Sequence, residues 1–230
     1  MRRCILLAAG LGTRLRPLTL HTPKCLLPVA GRPMLQWWLD HLERYAYDEV
    51  LINTHHLADQ VERFVDGYAG PLRVGLVHEA TLLGSAGTLR RNRSFFSDAC
   101  PVLVANADNL TDADLAALRA GHERFGRHLS MALFRPPDLS RTGVVELGGD
   151  SCIVGFEEKP ARPRGQWANA GLYLMDGQVV DALQAPDPAD VARDLMPLWL
   201  GRATGLPLDG YLRDVGTPEA YAAAQREWRA

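Results

Sequence analysis

Two glycines one residue apart, Gly10 and Gly12, follow a short apolar run at residues 4–7, and Thr13, Arg14 and Arg16 come directly after them. Glycine lacks Cβ, so the backbone can take positive φ and approach a ligand closely. Successive N–H groups in such a turn form an anion-binding concavity, to which the two arginines add permanent charge. The expected chemistry is a phosphate cradle. It is neither a dinucleotide fingerprint, because Leu15 stands where the third glycine belongs, nor a Walker A loop, because no Gly-Lys-Ser/Thr follows. Downstream, Lys24 lies between Pro23 and Pro28, Asp108 follows the apolar run at 102–105, Lys159 sits in Glu158-Lys159-Pro160, and Asp214 opens Asp214-Val215-Gly216-Thr217-Pro218-Glu219. A lone lysine or aspartate is usually a solvated surface charge, so these gain weight only from their setting. His55 and His56 are adjacent and point to different faces, which rules out the i, i+4 pairing of metal ligands. No G-x-S-x-G supports serine hydrolase chemistry.

The elements that must position these groups alternate. Strands are expected at 3–9, 50–53, 72–78, 102–105 and 129–134, with helices at 34–46, 57–65, 86–96 and 112–122 between them. This order predicts an α/β fold: a Rossmann-like mixed, mostly parallel sheet with helices on both faces. Ligands bind such sheets at the carboxyl ends of the strands, which puts the Gly10 loop, Glu79 and Asp108 on one edge. Later strands are expected at 143–147, 152–157 and 170–175 and helices at 179–183 and 190–200; Thr217-Pro218-Glu219 has the cap, first-position proline and acidic residue of a helix start. No linker or repeat divides the chain, so residues 1–230 are expected to form one domain, with a ligand-binding core at 1–134 and a substrate-facing part at 135–230.

Composition sets the outer bounds. The 230 residues are 47% hydrophobic and 23% charged, with a net charge of -2, so there is no basic footprint for nucleic acid. No stretch approaches a membrane span, and the apolar run after Arg2-Arg3 is too short for a signal peptide. Cys4, Cys25, Cys100 and Cys152 form no C-x-x-C pair, which favours a reducing, cytoplasmic setting over zinc.

Taken together, L-A-A-G-L-G-T-R-L-R-P-L-T at 7–19 and T-P-K-C-L-L-P-V-A-G-R-P at 22–33 resemble the nucleoside-diphosphate-sugar pyrophosphorylases, the sugar-1-phosphate nucleotidyltransferases. The resemblance continues through Gly84-Ser85-Ala86-Gly87, Asn106-Ala107-Asp108-Asn109, Thr142-Gly143-Val144-Val145, Glu158-Lys159-Pro160, Asn169-Ala170-Gly171-Leu172-Tyr173 and Asp214 to Glu219. Two positions depart from the family pattern: Ala107 replaces a glycine and Thr142 a tyrosine.

The resemblance implies transfer of a nucleotidyl group from a nucleoside triphosphate to a sugar 1-phosphate with release of pyrophosphate. It implies Mg²⁺ on Asp108 and Asp214, and catalytic roles for Arg14, Lys24 and Lys159. It implies nucleotide contacts from Leu7, Ala9, Gly10, Gly12, Thr13, Glu79, Gly84, Ala86 and Gly87, and sugar-phosphate contacts from Asn109, Gly143, Glu158 and Asn169. Long members append a β-helix of hexapeptide repeats, which is not expected here. A carboxylate at Glu79 matches the adjacent N1–H and N2–H₂ donors of guanine better than the acceptor-flanked N3–H of uracil. This favours GTP, and the ending resembles the mannose-1-phosphate guanylyltransferase branch; the alternative places Glu79 in solvent or at a local turn. Open alternatives are uridylyl, thymidylyl or cytidylyl transfer to another sugar or cyclitol phosphate, and a catalytically silent nucleotide-sugar-binding regulatory module. The oligomeric state is not legible.

Overall fold

The structure, a computed structural model, describes residues 1–229. The architecture is a mixed, mostly parallel sheet with helices, in two compact units that interleave along the chain. The first comprises Met1–Leu82, Ala105–Asp112 and the chain from Tyr211 onward; the second comprises Leu83–Val104 and Ala113–Gly210.

In the first unit the strand Arg3–Leu7 pairs in parallel with Glu49–Thr54, which pairs in parallel with Arg73–His78. The register sets Leu7 beside Asn53, Asn53 beside Val77, and Thr54 beside His78. The residues that leave these strands, Ala8-Ala9 and Glu79, therefore emerge at one edge. The helix Met34–Arg44 buries Met34, Leu35, Trp38, Leu39 and Leu42 on a 3.6-residue stripe, and Pro33 precedes its first turn. A short antiparallel ladder pairs Asn109–Thr111 with Leu212–Asp214, setting Asp214 opposite Asn109.

A hydrophobic cluster ties these pieces together: Leu15, Leu27, Val29, Met34, Leu110, Val215 and Ala224, flanked by Trp37, Tyr211, Tyr221 and Trp228. Leu15 follows Arg14, Leu27 closes the Lys24 turn, Leu110 follows Asp108 by two residues, and Val215 follows Asp214. Each fully buried leucine contributes about 1.5–3 kcal/mol by leaving water. The same burial fixes the backbone next to each charged group.

In the second unit Leu129–Phe134 pairs antiparallel with Trp167–Met175 and parallel with Thr204–Pro207. Gly143–Leu147 and Ile153–Glu158 form an antiparallel hairpin. Several expected boundaries moved. The helix expected at 112–122 is Leu115–Phe125: Asp114 caps it by accepting from Ala116 and Ala117 N–H, while Asp112 accepts from Tyr211 N–H at 2.6 Å. The helix expected at 190–200 is a π turn, Val191–Leu195, followed by a 3₁₀ turn, Met196–Trp199. Pro197 has no N–H to continue an α-helical ladder, which accounts for the break. The strand Thr204–Pro207 was not anticipated.

Candidate active site

The glycine loop is built by its own neighbours. Gly12 has φ +60°, and a Cβ there would lie 2.7 Å from Thr19 Cγ2. The Thr19 hydroxyl donates to the Gly12 carbonyl at 2.8 Å, and Leu15 N–H donates to the same oxygen at 2.9 Å, forming the 3₁₀ turn Thr13–Leu15. Beside Gly10 the space is open, and Arg14 is exposed. The turn thus holds its backbone from below and leaves its upper face accessible. Leu7, at the end of its strand, accepts from Ala107 N–H at 3.0 Å, joining the first strand to the segment that carries Asp108.

Lys24 is the most constrained cation in the unit. It opens a 3₁₀ turn, Lys24–Leu26, and is only 9% exposed. Its ammonium donates to Asp108 Oδ2 and lies 3.7 Å from Asp214 Oδ1. The two carboxylates meet because Asp214 pairs with Asn109 and Val215 N–H donates to the Asp108 carbonyl at 3.0 Å. Arg14 completes the group: its guanidinium lies against Gly216, where a Cβ would come within 2.7 Å of it and 2.8 Å of Asp214 Oδ1. The Asp214 carboxyl is raised above its ordinary value, first by loss of hydration and then by Asp108; Lys24 and Arg14 pull it the other way. Burial pushes the neighbouring Cys25 thiol up to about 12, so it is no nucleophile.

This donor set fits a divalent cation. Two hard carboxylates converge on a cationic group, and the missing Cβ at Gly216 lets Arg14 and the Asp214 carboxylate pack close against it. Among the described residues no three or more His, Cys, Asp or Glu side chains gather into a cage. Mg²⁺ needs none, since it is commonly held by one or two carboxylates with substrate phosphates and water.

Glu79 is 3% exposed, so it does not face solvent. Its N–H donates to Thr54 O at 2.8 Å, and its Oε1 accepts from Asn53 Nδ2 at 2.9 Å. Each adjacent histidine meets a backbone carbonyl: His55 the Glu79 oxygen at 2.7 Å, His56 the Thr19 oxygen at 2.8 Å. Asn109 is buried; its carbonyl accepts from Trp38 Nε1 at 2.8 Å.

The second unit carries the remaining motif residues. Ala86 and Gly87 N–H both donate to the Ala189 carbonyl, at 2.9 and 3.2 Å, so these donors at the start of helix Gly84–Arg91 are engaged within the unit. Gly143 lies under Phe156 and Glu158 across the hairpin, with Glu158 as its register partner. Lys159 has φ +47°, unusual for a residue with a side chain; its side chain is 65% exposed and its ammonium lies 3.3 Å from Glu158. The Asn169 amide bridges an irregularity in its strand, accepting from Gly171 N–H at 2.9 Å and donating to Tyr173 Oη at 2.7 Å.

The sequence pattern did not flag Asn53 or Thr19. Asn53 is a polar residue ending the apolar run Val50-Leu51-Ile52, which is the signal that would have found it; Thr19 sits in a loop with none.

The model of the nucleotidyl transferase family matches residues 3–230. The catalytic subunit beta of mannose-1-phosphate guanylyltransferase from Drosophila pseudoobscura pseudoobscura is 31% identical over 224 residues, covering 95% of this chain and 60% of the relative. A UTP–glucose-1-phosphate uridylyltransferase from Synechocystis is 30% identical over 222 residues, covering 89% of this chain and 56% of the relative. The chain thus spans about three fifths of the length of the curated relatives it matches. A crystal structure of a putative glucose-1-phosphate thymidylyltransferase from Bacillus anthracis superposes with a TM-score of 0.88 at 24% identity, covering 100% of this chain and 97% of that one. A glycine turn, a buried lysine and two converging carboxylates, carried on this sheet and within this match, have one reading: the chain belongs to the nucleotidyl transferase family.

Proposed function

We propose that this chain joins a nucleoside triphosphate, GTP by preference, to a sugar 1-phosphate, giving a nucleoside diphosphate sugar and pyrophosphate with Mg²⁺ required. The observation that carries this is the convergence of Lys24, Asp108, Asp214 and Arg14 beside the Gly10–Gly12 turn. A phosphate oxygen of the sugar 1-phosphate attacks the α-phosphorus in line. The new Pα–O bond replaces the bond to the β-phosphate, and pyrophosphate leaves with that electron pair. The two reactants repel each other, so catalysis is positioning plus charge stabilisation.

Backbone N–H groups of the turn, with Leu7, Ala9 and Thr13 around it, receive the nucleotide. Arg14 and Lys24 offset the charge that develops on pyrophosphate, and Asp108 and Asp214 hold Mg²⁺. When bound, that ion supplies charge neutralisation at the triphosphate. Lys159 binds the sugar phosphate, with Asn109, Gly143, Glu158 and Asn169 contacting the sugar side; Gly84, Ala86 and Gly87 line the base side. Glu79 reads guanine through its carboxylate. Four free cysteines among the described residues fit a reducing cytoplasmic setting, and no described helix is long and apolar enough to cross a membrane.

Pyrophosphate release tests the reading, with four nucleoside triphosphates against a panel of sugar 1-phosphates. Turnover is expected to be fastest with GTP, to need a divalent cation, and to stop with EDTA. Turnover led by UTP would move the base assignment to uridine. No turnover with any pair would overturn the enzyme reading in favour of a silent binding module.

A further inference from the structure

We infer that Asn53 is a positioning residue that sets the base preference of the nucleotide site by orienting Glu79. This deepens the reading of Glu79 as the base-reading carboxylate and rests on it. The parallel register carries Ala8-Ala9, Asn53 and Glu79 to one strand edge. There the Asn53 Oδ1 accepts from two successive backbone donors, Ala8 N–H at 2.6 Å and Ala9 N–H at 3.3 Å. Its Nδ2 donates to Glu79 Oε1 at 2.9 Å.

The amide orientation follows from its partners. Two N–H groups can be satisfied only by an acceptor, so the oxygen must face Ala8 and Ala9, and the NH₂ must face Glu79. Asn53 is 4% exposed and Glu79 3% exposed, so this bond is made out of water and has little freedom to reorient. One amide therefore locks the strand exit leading into the Gly10–Gly12 turn to the carboxylate that meets the base. Leucine or valine, the neighbours' type, would fill the strand but leave two N–H groups and a carboxylate oxygen without this partner.

Asparagine is also the residue whose replacement separates the two links. Asn53→Asp exchanges one NH₂ for an oxygen. The acceptor for Ala8 and Ala9 remains, while the group facing Glu79 becomes a second acceptor that repels it. When Asn53→Asp is combined with Glu79→Gln, the amide introduced at position 79 can donate back to the carboxylate introduced at position 53. That restores the bond with its direction reversed.

The experiment measures kcat and KM for GTP and UTP in wild type, Asn53→Asp, Glu79→Gln and the double variant, together with thermal unfolding of each. Losing a hydrogen bond to a charged group corresponds to about tenfold or more. Asn53→Asp and Glu79→Gln are each expected to lower the GTP:UTP ratio of kcat/KM by about tenfold. In Asn53→Asp the KM for GTP should rise far more than kcat falls. The double variant should show the Glu79→Gln ratio without a further drop, and should unfold at a higher temperature than Asn53→Asp. A merely structural Asn53 would lower both nucleotides equally.

If Glu79→Gln shifts the ratio and Asn53→Asp does not, the role of Asn53 is overturned while that of Glu79 stands. If Glu79→Gln leaves the ratio unchanged, the base-reading role of Glu79 fails, and this proposal with it. If Asn53→Asp does not fold, the double variant decides: recovery of the fold with the Glu79→Gln ratio supports the link, and failure to recover overturns it.

Discussion

Lys24 and Asp108 are 84 residues apart in sequence and form a part-buried, charge-assisted hydrogen bond in the first unit. Asp214 Oδ1 lies 3.7 Å from the same ammonium. A nearly buried lysine bonded to the proposed metal-binding carboxylate would link two tasks in one contact: it neutralises that carboxylate, and in the proposed reaction it would serve as a cation for phosphate.

Asp108→Asn should lower kcat on the order of 10²-fold or more, because charge stabilisation is usually the largest single term in such reactions. The fold should persist, since asparagine still offers an oxygen to Lys24. Steady-state pyrophosphate release and thermal unfolding check the two parts separately; full activity in this variant would refute the metal assignment.

Lys24→Met keeps the aliphatic stem and removes the charge. Turnover should fall on the order of 10²-fold, while Mn²⁺ binding to Asp108 and Asp214 should tighten, because a competing cation is gone. Electron paramagnetic resonance titration of free Mn²⁺ reads the second effect without any turnover. Unchanged or weaker binding would contradict the shared-carboxylate geometry.

Gly12→Ala should raise the KM for the nucleotide and lower stability by about 1–3 kcal/mol, from positive φ and from contact with Thr19. Adding Thr19→Ser removes the clashing Cγ2 and keeps the hydroxyl bond, so it should recover part of the loss. Chemical unfolding of both variants measures this.

His122 provides a pH-dependent element in the second unit. It is buried, with Nδ1 2.8 Å from Ser130 Oγ, and burial, together with nearby Arg119, holds its pKa below the usual histidine value. A depressed histidine pKa means the unfolded chain takes up the proton first. Its stability contribution is therefore present above about pH 6.5 and is lost as pH falls through the folded-state value. His122→Gln should narrow the stability difference between about pH 5 and pH 7.5, as measured by urea unfolding; an unchanged difference would place the acid sensitivity elsewhere.

Much of the site was legible because its residues lie in short motifs with their own local chemistry. Gly10, Gly12 and Arg14 follow a strand, Lys24 sits between prolines, and Asp108 and Asp214 head recognisable segments. That Asp108 and Asp214 lie together was implied only by resemblance; that both lie against the Lys24 ammonium was not read from the sequence at all. The physical basis of their meeting is the ladder between Asn109–Thr111 and Leu212–Asp214, three residues per strand and too short to show alternation. Asn53 stayed invisible for a different reason: a single polar residue at a strand end carries no pattern, and its worth lies in partners 44 to 45 residues before it and 26 after it. The π and 3₁₀ turns at 191–199 read as one helix because apolar spacing survives a break that only the missing Pro197 N–H creates.

The most direct measurement follows one oxygen. Sugar 1-phosphate labelled with ¹⁸O in its non-bridging phosphate oxygens is turned over with unlabelled GTP, and the products are read by ³¹P NMR. Attack of the sugar phosphate on the α-phosphorus predicts label in the bridge between the two phosphates of the nucleotide sugar and none in pyrophosphate. Label in pyrophosphate, or an unlabelled bridge, would contradict the account.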